Sequence, residues 1–219
     1  MEYKKEIISK INELSGSRSP YDVFYDWVKC MALAFQNSCT ICRDTVWKKR
    51  EEDYLRTINS YGKEADKIVD MMALLAMALE EEMGDILGEI YMESGCGNKN
   101  TGQFFTPFNI SCMCSKTLLE QEDGKQKIEL NEPSCGGGGM IIAAAKTLKG
   151  HGINYQKCMD VVAQDLDWKA VYMCYVQLSL LGISAVVVQG NTLTDPDWRK
   201  RPLDCVFRTP AKMGVLLYP

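Results

Sequence analysis

KIELNEPSCGGGGMIIAAAKTL, from Lys127 to Leu148, is the stretch that decides the fold. Ile128 and Leu130 give the apolar face of a short strand, Gly136 to Gly139 form an unbroken glycine run, and Met140 to Leu148 is rich in the helix formers Ala, Lys and Leu. A strand that turns through glycines straight into a helix lets the backbone approach a ligand with no Cβ in the way, and the new helix points its free N–H groups at the turn. That geometry makes a nucleotide-sized site. The competing reading is a flexible surface loop, since glycine runs are often only that.

Downstream, Met159 to Asp167 (MDVVAQDLD) repeats the pattern of an apolar strand ending in an acidic residue, where α/β nucleotide folds place a carboxylate for ribose hydroxyls. Asp165 is therefore the first candidate ligand contact. What the turn lacks narrows the ligand. Counting from Gly136 or Gly137, the sixth position of a dinucleotide fingerprint is Ile141 or Ile142 rather than glycine, and no Gly-Lys-Ser/Thr follows as a P-loop requires. Glu132, just before the turn, would repel a phosphate and suits a ligand carrying positive charge. S-adenosylmethionine, with its sulfonium and ammonium groups, fits that chemistry.

With these segments in view, the sequence resembles the adenine-N6 DNA methyltransferases, and most closely the modification subunits of type I restriction systems. TGQFFTP (Thr101 to Pro107) is similar to the family's GQFxTP segment, which wraps the methionine end of the cofactor and implies contacts from Phe105, Thr106 and Pro107. NEPSCGGGGM resembles the DPACGSGG turn and implicates Glu132, Pro133, Ser134, Gly136 and Gly138. AQDLDWKAVYMCYVQLSLLGI (Ala163 to Ile183) resembles the stretch whose acidic residue binds the ribose, giving Asp165 that role with Leu166 beside it. GNTLTDP (Gly190 to Pro196) resembles GDTLxDP, so that Asn191, with Thr192, would help hold the adenine ring. The resemblance implies an α/β, Rossmann-like methyltransferase sheet, incomplete at about four to five strands, over residues 101–219, preceded by a helical N-terminal domain over residues 1–100.

The motif that carries the chemistry departs from the family. Where a strand should end in NPPF or NPPY, Leu203 to Phe207 runs into Arg208, Thr209, Pro210, Ala211 and Lys212. A flipped adenine needs acceptors for its amine protons and a surface to stack on. Thr209 and Pro210 stand at the catalytic positions, but Thr209 offers only a hydroxyl and Lys212 no ring. Losing one such positioning group commonly costs about 10²- to 10³-fold in rate, and several change at once here. The expectation is a cofactor-binding family member with little or no adenine methylation of its own. The alternative to an active enzyme is a truncated, inactive homologue serving as a cofactor-binding or subunit-interaction module.

A methyltransferase sheet usually continues beyond its fourth strand, with Val215 to Tyr218 able to begin another element, so an uncovered edge points to a partner subunit or a homodimer. No stretch reaches about eighteen uninterrupted apolar residues and the charged N-terminus MEYKKEIISK is no signal peptide, so neither a membrane span nor export is expected and a cytoplasmic location is. The ten cysteines fall inside apolar patterns, at Cys30, Cys158, Cys174 and Cys205 among others, as reduced thiols do. Cys39-x-x-Cys42 and Cys112-x-Cys114 lack the regular spacing of a four-ligand zinc site, and the single histidine, His151, leaves hydrolase triads without a base.

Ahead of Thr101 the pattern is helical. Ser19, Pro20 and Asp22 read as an N-cap, a first-turn proline and a first-turn acid. Phe24, Val28, Met31 and Phe35 then share one face, and Ile68, Met71, Met72, Leu75, Met77 and Leu79 form a second apolar surface, read as core with room for an adaptable partner groove. A net charge of −4 argues against strong intrinsic nucleic-acid binding. Trp47-Lys48-Lys49-Arg50 and Trp198-Arg199-Lys200-Arg201 are local exceptions, either solvated faces or DNA contacts.

Overall fold

The computed structural model describes residues 2–95, 105–120, 122 and 127–215. The chain divides into two units, Met1–Phe104 and Phe105–Pro219. In the first, α1 (Glu2–Leu14), α2 (Pro20–Cys39), α3 (Thr45–Asn59), α4 (Ala65–Glu81) and α5 (Ile86–Glu93) bury one face each. The start of α2 follows from its first residues. Ser19 Oγ accepts the Asp22 N–H at 3.1 Å while the Asp22 carboxylate accepts the Ser19 N–H at 3.2 Å, and Pro20 opens the helix. Phe24, Trp27, Met71, Leu75, Ile86 and Ile90 make a closed core, with Phe24 edge-on to Trp27 at 5.9 Å. One residue departs from the sequence reading: Met77 is exposed, because it lies two positions from Leu75 and therefore about 200° around the helix from it.

The second unit begins with α6 (Phe108–Leu118) and continues through β1 (Ile128–Glu132), α7 (Gly139–Gly150), the short α8 (Tyr155–Cys158), β2 (Met159–Asp165), α9 (Trp168–Leu180), β3 (Ser184–Gln189) and β4 (Val206–Arg208). β1, β2 and β3 run parallel in sequential order, joined by helical crossovers, and β4 adds antiparallel to β3. Register and alternation sort the sheet into two faces. Leu130, Val161, Ala185, Val187 and Phe207 share one of them, and the Phe207 ring meets Tyr172, Tyr175 and Trp168 of α9 at 5.8, 5.1 and 6.3 Å. On the reverse face Val186, Val188 and Val206 cluster under Trp198.

β4 differs from the expected strand. It spans three residues, and Leu203–Cys205 forms a 3-10 turn before it. Because β4 runs antiparallel, the residues after it return to the start of β3. The Thr209 hydroxyl donates to Ile183 O at 2.7 Å and accepts the Ala185 N–H at 3.0 Å, and Thr209 is fully buried. The part of the expected further element over residues 216–218 lies outside the described residues.

Lys212 completes this clasp, placing its ammonium 2.7 Å from both carboxylate oxygens of Asp160 on β2. Burial opposes the charge on Asp160, but hydrogen bonds from Lys212, Lys127 and Ser184 outweigh it and hold the carboxyl down at about 2. A folded-state value below the usual 3.8 means stabilisation that is complete above that range and is lost as pH falls toward 2. Lys212→Ala is therefore expected to cost about 1 kcal/mol near pH 7, after discounting for solvent screening of a largely exposed pair. Urea melts at pH 7 and pH 2.5 check this, since the difference between variant and parent should shrink at the lower pH. Equal melting at pH 7 would show that the pair contributes nothing.

Candidate functional site

Parallel strands joined by crossovers bring all their carboxyl ends to one edge, and in open α/β sheets ligands bind there. Three loops meet at that edge. Cys135 N donates to Gln164 O and Gly190 N to Asp165 O, both at 2.9 Å, and the Thr192 hydroxyl donates to Pro133 O at 2.8 Å. Thr192 thus ties the loop after β3 to the loop after β1.

The glycine turn needs its glycines. Gly136 and Gly138 hold φ of +52° and +94°, in the left-handed region where a side chain is strained. A Cβ at Gly138 would lie 3.2 Å from Cys174 Sγ, and one at Gly136 would lie 2.9 Å from Cδ1 of Phe105, whose ring rests on the turn. Asp165 braces the turn from below. Its Oδ2 accepts the Gly136 N–H at 2.9 Å and its Oδ1 accepts the Asp167 N–H at 3.0 Å, while each oxygen keeps a second lone pair for a ligand hydroxyl.

Glu132 ends β1 with Oε1 accepting the Ser134 N–H at 3.2 Å. Burial lifts its carboxyl above the usual range, the Ser134 N–H pulls it down and the nearby Asp165 charge lifts it further. Two carboxylates that repel each other at one strand edge favour a cationic ligand group. The donor set therefore suits S-adenosylmethionine: Asp165 for hydroxyls, the Gly136–Gly138 backbone for close approach, and Glu132 for positive charge.

The remaining sequence candidates are distributed around this centre. Pro107 caps α6, with Thr106 exposed before it, and Thr101 to Phe104 of the same motif lie outside the described residues. Leu166 projects 65 % exposed at the rim. Asn191 is exposed and its Oδ1 accepts the Leu193 N–H at 3.0 Å, closing its own turn. Ser134 is exposed on the turn.

Thr209 and Pro210 are not brought to this edge. Both are buried beside the first residues of β3, about 16 Å along that strand from Gly190 at a rise near 3.3 Å per residue. The physical reason is the antiparallel direction of β4, which reverses the end at which its following residues emerge.

Two supporting residues escaped the sequence reading. Gln177, fully buried in α9, donates to Gly137 O at 2.7 Å and fixes the turn against the helix. Asp167 caps α9 by accepting the Lys169 N–H at 2.9 Å. A glutamine inside the otherwise largely apolar run from Val171 to Leu178 was the available signal for the first. Contact with Cys174 and burial push the Cys135 thiol up, so this cysteine is held as a neutral packing group.

A family model described as N-6 DNA Methylase matches residues 81–211. Among solved structures, a Listeria monocytogenes protein assigned as a class I S-adenosylmethionine-dependent methyltransferase superposes with a TM-score of 0.55 at 13 % identity, covering 88 % of this chain and 54 % of that one. The type I restriction-modification system methyltransferase subunit from Streptococcus thermophilus superposes with a TM-score of 0.50 at 15 % identity, covering 91 % of this chain and 41 % of that one. The chain thus spans about half the length of these structures or less. At such identities the likeness is one of fold, an α/β methyltransferase sheet. No curated protein matches the chain in sequence.

Proposed function

The chain belongs to the N-6 DNA methylase family, and from that premise we propose that it binds S-adenosylmethionine at the glycine turn, in the manner of a type I modification subunit, and does not methylate adenine by itself. The observation that carries the binding half is the braced turn. Gly136 donates its N–H to Asp165 while Asp165 and Glu132 concentrate negative charge at the same strand edge. Asp165 would receive the ribose hydroxyls, Glu132 the charged methionine end, Phe105, Thr106 and Pro107 would flank that end, and Leu166, Asn191 and Thr192 the adenine. The cofactor, when bound, would supply an electrophilic methyl group.

The inactive reading is favoured by Thr209. Its hydroxyl donates to Ile183 O and accepts the N–H groups of Ala185 and, at 3.4 Å, Lys212, and no part of it is exposed to a substrate. A group so placed holds a strand in register and has no lone pair to offer an adenine amine. DNA as the eventual substrate, a partner subunit or second copy as the complement, and a cytoplasmic location all belong to this proposal.

Calorimetric titration with S-adenosylmethionine, paired with a methyl-transfer assay on unmethylated duplex DNA, tests both halves. Saturable binding without transfer is expected. Absence of binding would sink the first half, and transfer by the unmodified chain the second. Affinity should also depend on pH. Burial holds the Glu132 carboxyl above the usual carboxylate range, and protonation removes the charge that attracts the cofactor, so binding is expected to weaken as the solution is made acidic. Glu132→Gln should abolish that decline.

A further inference from the structure

The basic run Trp198-Arg199-Lys200-Arg201 is not one surface. The side chains of Arg199 and Lys200 are 74 % and 84 % exposed, whereas that of Arg201 is 21 % exposed. Trp198–Lys200 is a 3-10 turn, closed by the Arg201 N–H donating to Trp198 O at 3.1 Å. Arg201 leaves this turn facing inward, to the carboxyl end of β3.

There its guanidinium grips two elements at once. Nη1 lies 3.2 Å from Asp195 Oδ2 in the loop after β3, and Nη2 donates at 3.5 Å to Oε1 of Gln189, the last residue of β3. Asp195 is held a second time, since its carbonyl accepts from Nε2 of the buried Gln164 on β2 at 3.3 Å. Gln189 in turn donates to Leu166 O at 2.8 Å. A planar fork with several fixed donors is suited to such bridging, as a lysine ammonium is not. Asp195 passes the constraint on, because its own N–H donates to Asn191 O at 2.8 Å.

Gly190 shows how closely the clamp is seated. A Cβ there would lie 3.1 Å from Arg201 Nε, 3.2 Å from its Cζ and 3.1 Å from Gln164 Nε2, so guanidinium and amide both rest on a residue without a side chain. Charge balance matters as well. A bare arginine would oppose the negative edge made by Glu132 and Asp165, whereas one paired with Asp195 gives position without repelling a cationic ligand.

We propose that Arg201 is a positioning residue of the cofactor site, fixing the loop from Gly190 to Pro196 so that Asn191 and Thr192 meet the adenine ring. This inference rests on the cofactor reading above. Arg201 acts on the ligand only through the loop.

Hydrogen exchange on the ligand-free chain, with calorimetric titration by S-adenosylmethionine and S-adenosylhomocysteine, tests it on the parent, Arg201→Gln, Arg201→Lys and Gly190→Ala. In Arg201→Gln the Gly190, Thr194 and Asp195 amides should exchange at least tenfold faster, and both ligands should bind about tenfold more weakly. Arg201→Lys keeps the charge but not the fork, so it should recover only part of the loss. Gly190→Ala displaces the guanidinium with its charge intact and should weaken both ligands similarly. A role through charge alone would instead favour the cationic S-adenosylmethionine over S-adenosylhomocysteine in Arg201→Gln, and that result overturns the proposal. So does a lowered urea midpoint with unchanged affinities, or unchanged exchange in the loop. Absence of binding by the parent would sink the cofactor reading and this inference together; parent binding that Arg201→Gln leaves intact would sink this inference alone.

Discussion

Asp165→Ala is expected to weaken S-adenosylmethionine binding by about 10²-fold, from the loss of two hydrogen bonds to a charged acceptor at about 1.5 kcal/mol each. On the proposed reading the residue has two functions at one position. Its oxygens brace the turn through the Gly136 and Asp167 N–H groups at 2.9 and 3.0 Å, and their remaining lone pairs would receive the ligand hydroxyls. Removing the side chain leaves two partly buried donors to find water, so a stability loss of about 1–2 kcal/mol should accompany the loss of affinity. Asp165→Asn separates the two effects. It keeps one oxygen as an acceptor and removes the charge, so the fold should be retained while affinity falls by an intermediate amount. Calorimetry on both variants, with thermal melts to show that each is folded, reads the outcome. Unchanged affinity in Asp165→Ala would remove the glycine turn as the cofactor site.

Much of this edge was legible in the sequence, for local reasons. Alternation in IELNE and MDVVAQD marks two half-buried strands, and the glycine run between the first strand and its helix marks a left-handed turn that other residues resist. The start of α2 was legible because the Ser19–Asp22 exchange closes within four residues of chain. What was hidden depends on distant partners. A strand of three residues has no periodicity from which direction can be read, and β4 is turned antiparallel by contacts made far away in sequence. Phe207 joins the aromatic group on α9, Thr209 satisfies the start of β3, and Lys212 reaches Asp160 on β2. Motif order alone placed Thr209 at the active edge, whereas strand direction places it at the other end.

Thr209→Val decides between the two readings of the degenerate motif. The substitution keeps size and β-branching, removes the hydroxyl, and leaves the buried Ala185 N–H and Ile183 O without their partner at 3.0 and 2.7 Å. Ala185 O retains the Thr209 backbone N–H at 3.0 Å, so the strand pairing itself is not abolished. Leaving a buried donor unsatisfied costs about 1–3 kcal/mol, and a destabilisation of about 2–3 kcal/mol is expected in urea melts. Thr209→Ser should recover most of it, because the hydroxyl returns and only a methyl is lost. Cofactor affinity of the folded fraction should be unchanged, since the glycine turn lies at the far end of β3. A catalytic Thr209 would give the opposite pattern: near-native stability, with a transfer rate in the parent that the valine variant loses. The structural reading also bears on any attempt to restore activity by Thr209→Asn. The longer amide must enter a site that is fully buried and already satisfied, so it is expected to destabilise β4 rather than create an adenine-binding group.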